Sequence, residues 1–285
     1  MSLRTVDNQW GELHTQAFGD PSHPPVILVM GAMASMQWWP QAFCEALARA
    51  DLYVIRYDQR DTGLSTHCPP GEPDYSLADL ADDVFAIADA YQARAVHVVG
   101  MSMGGMVAQR ATLARPKRVL SLSLISTSPL GIEGLPPMSA AYAEHSASGE
   151  SLDWTDPEAV LEFMVRDAAA IASTAHPHDA EAMRAFIRAD IARARGFASA
   201  TNHFMLVDGA QSPPRPLSEL RVPVLAIHGS SDPIFPFAHA EALVAAVDGA
   251  RLVRIEGGGH ELHPADWAQT IEAIATHTAG IAAPR

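Results

Sequence analysis

The sequence has little cysteine, little positive charge and no long apolar run. Its 285 residues include two cysteines, Cys44 and Cys68. Two thiols cannot build the multi-bridge framework of a small secreted domain, so a reducing, cytoplasmic setting is expected. Lysine and arginine together number 19 against 33 acidic residues, a net charge of −14. Nucleic acids and anionic membranes attract basic surfaces, so neither is an expected partner. No apolar stretch reaches the roughly 18 residues that a membrane helix needs. The opening "MSLRTVDNQWGEL" holds no apolar core for a signal peptide. What remains is a globular composition, 48% apolar and 18% charged. A chain of this length buries about three quarters of its extended surface and needs no covalent staples.

Six short apolar runs read as buried parallel strands. They are Pro25–Met30, Leu52–Asp58, Ala95–Gly100, Leu120–Ser126, Val222–Gly229 and Arg251–Gly257. They are rich in β-branched residues, and most end at glycine, serine or aspartate. Helical patterns lie between them. Phe43, Ala46, Leu47 and Ala50 follow i, i+3, i+4, i+7 spacing, and Leu77, Leu80, Val84, Ile87 and Ala88 keep one face. Ser76 with Asp79 resembles a capping box. Trp267, Ile271 and Ile274 form a third stripe. This alternation predicts an α/β fold with a mostly parallel sheet covered on both faces. The more polar Gln9–Asp20 is expected to add an antiparallel edge hairpin. From Pro129 to Pro216 no strand is legible, and two helices are expected at Asp156–Ile171 and Ala180–Arg195. Pro136, Pro137, Pro213, Pro214 and Pro216 bracket that region. The expected organisation is a core of residues 1–128 and 217–285 with a helical cap at 129–216.

The stretch Gly100-Met101-Ser102-Met103-Gly104 is G-x-S-x-G, placed between a predicted strand and a predicted helix. A sharp turn there exposes the serine hydroxyl, and the helix start offers free N–H groups and a positive dipole end. Such a serine needs a base, and the base an orienting acid. His260 follows the last strand in "EGGGHEL", and Asp232 follows the strand Val222–Gly229 in "HGSSDPIFP". The order serine, acid, histidine suits this kind of turn. Backbone N–H groups of Met103 and Ala32 are the expected donors to a developing oxyanion. Met33, Met36, Trp38, Phe204, Met205, Ile234 and Phe235 are expected to line an apolar acyl or alcohol pocket, methionine being suited to an adaptable wall.

These residues resemble the α/β-hydrolase superfamily over nearly the whole chain. "LVMGAMASMQWW", "VIRYDQRDTGLST" and "HVVGMSMGG" together are similar to the aclacinomycin methylesterase-like carboxylesterases. The resemblance implies ester cleavage through an acyl-enzyme, on a small-molecule substrate and without metal or organic cofactor. It also implies that Arg60 and Asp61 tie loops together beneath the site. A cofactor-free haloperoxidase or perhydrolase, a carbon–carbon bond hydrolase and a ligand sensor with a slow triad remain open on the same fold. His176-Pro-His178-Asp179 reads as a solvated loop rather than a metal site. Arg184, Arg188, Arg193 and Arg195 read as a solvated helix face.

Overall fold

The computed structural model describes residues 2–208 and 215–281. Among them eight strands form one sheet: β1 Ser2–Asp7, β2 Glu12–Phe18, β3 Pro25–Val29, β4 Tyr53–Tyr57, β5 Val96–Met101, β6 Val119–Ile125, β7 Val224–Gly229 and β8 Arg251–Ile255. Their spatial order is β1-β2-β4-β3-β5-β6-β7-β8. All pairs from β4 to β8 are parallel, and β2 meets β1 and β4 antiparallel. The six apolar runs are the six parallel strands to within two residues at each end.

Helices cover both faces: α1 Gln41–Ala48, α2 Leu77–Ala90, α3 Met103–Ala114, α8 Ala238–Ala246 and α9 Trp267–Thr278. Alternate residues of one strand serve opposite faces, as a period of two requires. Ile27 and Val29 pack in one cluster with Val84, Val107 and Leu243 of α2, α3 and α8. Val26 and Leu28 pack in the other with Phe43, Leu47 and Ile274 of α1 and α9. Fully burying each such side chain contributes about 1.5–3 kcal/mol. The capping box of α2 forms as expected, Ser76 and Asp79 each accepting from the other's backbone N–H. Because β3 lies between β4 and β5, the chain changes its direction of travel across the sheet there. The carboxyl ends of β3 and β5 thus mark the point where successive connections leave in opposite directions, the usual ligand position in open α/β sheets.

The edge hairpin differs from expectation. It begins at Ser2, and Asp7 pairs with Glu12, so Gln9–Asp20 supplies only the end of the turn and the second strand. The Asn8 side chain builds that turn by accepting the N–H groups of Trp10 and Gly11. β1 was illegible because its apolar residues are only Leu3 and Val6, and Leu3 is 72% exposed.

Between β6 and β7 lie α4 Ala140–Ser148, α5 Pro157–Ala170, α6 Ala180–Arg193 and α7 Asn202–Asp208, with no strand among the described residues. Asp156 caps α5 by accepting from the N–H groups of Glu158 and Ala159. The expected α5 and α6 are present. α4 and α7 are additional, and α4 has no buried residue and hence no apolar stripe to read. Pro213 and Pro214 lie outside the described residues.

One polar core residue makes stability depend on pH. His97 of β5 is fully buried, with Nδ1 2.7 Å from the Ser121 hydroxyl of β6. Burial, with the nearby His277 imidazole, pushes its pKa down to about 4. The folded form thus binds fewer protons than the unfolded form. The contribution is complete above the unfolded value near 6.5 and is lost as pH falls from there through about 4. The shift corresponds to about 3 kcal/mol. His97→Asn is expected to shrink the difference in denaturant stability between pH 7 and pH 4 by that order. An unchanged difference would remove His97 as the cause.

Candidate active site

Ser102 occupies the turn between β5 and α3 with φ 54° and ψ −125°. A non-glycine residue held there is strained, a cost of about 1–3 kcal/mol that the surroundings must enforce. Its N–H donates to the Ile125 carbonyl, and its own carbonyl accepts from the Thr127 hydroxyl. Met103 is the first residue of α3, where N–H groups lack an intrahelical acceptor. The loop after β3 reaches the same place. A Cβ added to Gly31 would stand 3.1 Å from Ser102 Cβ and 3.5 Å from its Oγ. Ala32 therefore follows a glycine that lies directly against the serine.

Asp232 and His260 come together from the ends of β7 and β8. His260 Nδ1 lies 2.8 Å from Asp232 Oδ2. Asp232 Oδ1 accepts the N–H groups of Ile234 and Phe235, both at 2.9 Å. Burial alone would raise the Asp232 carboxyl. The His260 charge and the hydrogen bonds from His228 and His260 outweigh it and hold the group well below the usual carboxylate range. A carboxylate only accepts, so Nδ1 of His260 carries a proton, and in the neutral ring the lone pair is on Nε2. The His260 N–H donates to the Ile171 carbonyl at the end of α5, 2.8 Å away. A Cβ on Gly259 would fall 2.1 Å from that same oxygen, so only glycine allows the two backbones to meet.

The loop between β3 and α1 is fixed by residues that sequence reasoning missed. The His203 ring of α7 is wholly buried; Nε2 donates to the Arg60 carbonyl at 2.8 Å, and Nδ1 accepts the Met33 N–H at 3.1 Å. Met33 is held at φ 62°. Asp58 accepts the Met36 N–H and a bidentate Arg193 pair at 3.1 and 2.6 Å. Arg193 is thus no part of a solvated face, because its α6 position aims it at a buried carboxylate. Arg184 and Arg195 instead pair with Glu162 and Glu12 near the surface. Asp190 of α6 accepts from the Ser35 hydroxyl and Trp38 Nε1. His228 stands 3.4 Å from Asp232 and bonds the Phe235 carbonyl. Its place at the end of β7 was the one legible signal, since the other partners are remote in sequence. Arg60 pairs with Asp83, and Asp61 accepts from Tyr75, Cys68 and Asn202, which joins several loops.

The expected pocket residues divide. Met33 and Met36 are buried, Trp38 packs edge-on against Phe186 of α6, and the Phe235 ring meets His260 edge-on at 5.6 Å. Ile234 is half-buried beside Asp232. Phe204 and Met205 stand 49% and 50% exposed, while Asn202 and His203 take the buried face of α7. A small cleft with room for about one water lies behind the His260 loop, lined by Ile227, His228, Leu262 and His263 among others, and does not border Ser102. A narrower crevice lies between Met33, Asp61 and Asp190.

The chain resembles known proteins along its length. A family profile described as alpha/beta hydrolase fold matches residues 24–265. Rhodomycin D methylesterase DnrP of Streptomyces peucetius is 33% identical over 98% of both chains. Its counterpart DauP from Streptomyces strain C5 is 32% identical over the same shares. A hydrolase of Pseudomonas aeruginosa superposes with a TM-score of 0.74 at 25% identity, covering 98% of both chains. The enol-lactonase of Burkholderia xenovorans gives 0.75 at 19% identity over 96% of this chain and 99% of its own, which shows the fold alone. The chain belongs to the α/β-hydrolase fold family.

Proposed function

We propose that this protein hydrolyses small-molecule carboxylic esters, with an apolar acyl or alcohol part, through a Ser102–His260–Asp232 triad. The observation that carries the reading is the Asp232–His260 hydrogen bond at 2.8 Å, which commits Nδ1 to the carboxylate and makes Nε2 the ring nitrogen left for proton transfer. Ser102 Oγ attacks the ester carbonyl as His260 Nε2 takes its proton. Asp232 holds the tautomer and stabilises the imidazolium. The N–H groups of Met103 and Ala32 receive the developing oxyanion, each such donor contributing about 3 kcal/mol in the transition state. His260 then gives its proton to the leaving alcohol, and the acyl-enzyme forms. Water activated by the same imidazole releases the acid, and Ser102 Oγ regains its proton. No step calls on a metal or organic cofactor. The likeness to the rhodomycin D methylesterases supports an ester as the scissile group. Residues 129–216 act as a cap on a core of residues 1–128 and 217–285. Arg193, Asp190 and His203 hold that cap against the loop that carries Ala32.

The test is a series of p-nitrophenyl esters from acetate to decanoate, followed by methyl esters of apolar acids. Steady turnover without peroxide is expected, and the preferred chain length sizes the pocket. One acylation equivalent with no steady rate would replace the esterase with a sensor, and a strict need for peroxide would replace it with a perhydrolase.

A further inference from the structure

Along the sequence, in the run His176-Pro-His178-Asp179, His176 has no suitable neighbours. Asp179 instead caps α6 by accepting the Ala182 N–H. The fold gives His176 partners from elsewhere in the chain. Residues 171–176 run beside the loop after β8. Ile171 accepts the His260 N–H, the Thr174 N–H donates to the Gly257 carbonyl, and the Ser173 N–H donates to Glu261. This alignment lays the His176 ring on the His263 ring, with centroids 4.6 Å apart and planes within 15°. His176 Nε2 is 3.0 Å from Asp266 Oδ1. One ring nitrogen from each histidine and one carboxylate oxygen all lie within 4.8 Å of one another.

We propose that His176, His263 and Asp266 bind a divalent transition-metal ion of the zinc, cobalt or nickel kind. Two imidazoles and a carboxylate are borderline ligands, suited to these ions rather than to calcium or magnesium. Ligand bonds of about 2.0–2.2 Å require the donors to draw together slightly from their present spacing. The side chains of His176 and Asp266 are 28% and 18% exposed, so an ion can enter from solvent. His263 and Asp266 also border the cleft behind the His260 loop, which leaves room for water to complete the coordination. The competing bond is small: His263 Nδ1 accepts the Ala265 N–H at 3.2 Å. The net charge of −14 favours a cation at the surface. Two ligands come from the loop after β8 and one from the segment after α5. A bound ion is therefore a cross-link between them, three residues beyond His260. This inference is independent of the ester chemistry.

The experiment uses chelator-treated full-length protein titrated with zinc by calorimetry, and with cobalt followed by its visible absorption. One saturable equivalent is expected for the wild type, together with a rise in melting temperature that grows with zinc concentration. His176→Asn and His263→Asn should each weaken that equivalent by about tenfold or more and abolish the melting shift. Asparagine at 263 preserves an N-cap acceptor for the turn that follows. His178→Asn, in the same segment but outside the cluster, should leave both readouts unchanged. Absence of a saturable equivalent in the wild type overturns the proposal. So does equal binding in the His176 and His263 variants, or its loss in His178→Asn alone. Circular dichroism before titration confirms that each variant is folded, and Asp266→Asn replaces any that is not.

Discussion

Ser102→Ala is expected to lower kcat on an ester that the wild type turns over by a factor on the order of 10⁴ to 10⁶. The alanine leaves Asp232, His260 and the two proposed backbone N–H donors in place but removes the proposed nucleophile. Substrate affinity should change little, because the lost group contributes to the transition state rather than to ground-state binding. Mass spectrometry should find a covalent adduct with a fluorophosphonate probe on the wild type and none on the variant. The strain at φ 54° is carried by the turn and not by the hydroxyl, so the melting temperature should hold or rise slightly. Turnover within tenfold of wild type would mean that another nucleophile or a directly activated water does the work.

Gly104→Ala should produce the larger change in stability. A Cβ there would lie 2.2 Å from the Val29 carbonyl oxygen and 2.4 Å from that of Met30. Both obstacles are backbone atoms of β3 and its exit, so no rotamer change relieves the clash. α3 has to back away from the sheet, which loosens Met103, Val107, Ala108 and Ala111 from one face of the core. Overpacking against yielding side chains costs about 1–3 kcal/mol. Against rigid backbone, the upper end of that range or beyond is expected. For a chain of this size that corresponds to a fall in melting temperature of roughly 5 °C or more. The displacement also carries the Met103 N–H away from the proposed oxyanion position, so kcat should fall in the protein that remains folded. A melting temperature within two or so degrees of wild type would show that helix and sheet have slack that their geometry does not suggest.

Much of this was legible from local pattern. G-x-S-x-G, the acid after β7 and the histidine after β8 each sit at a strand end, and strand ends are marked by the switch from apolar runs to glycine and aspartate. The α2 cap was readable for the same reason, since Ser76 and Asp79 are three residues apart. What escaped was held by partners remote in sequence. His203 meets Met33 across 170 residues, and Arg193 meets Asp58 across 135. No periodicity or spacing announces such a pair, and the surroundings of Arg193 look like an ordinary charged helix. The exposure of Phe204 and Met205 was not legible, because α7 turns Asn202 and His203 inward to satisfy buried hydrogen bonds. β1 escaped because an edge strand with one exposed face needs only a thin apolar signal.

The hydrogen bond from the His260 N–H to the Ile171 carbonyl has a consequence for the engineering of specificity. The segment between β6 and β7 looks like an exchangeable part, ready to be replaced by that of a relative with another substrate. The end of α5 within it, however, supplies the acceptor that seats the backbone of the proposed base. A chimera joined only at the ends of β6 and β7 would exchange that acceptor while retaining the loop it supports. Grafts that carry residues 171–176 and 257–263 as one matched unit should keep turnover, and mismatched grafts should lose it without losing the fold. A change of substrate made through that segment therefore has its seam in the loop that holds His260.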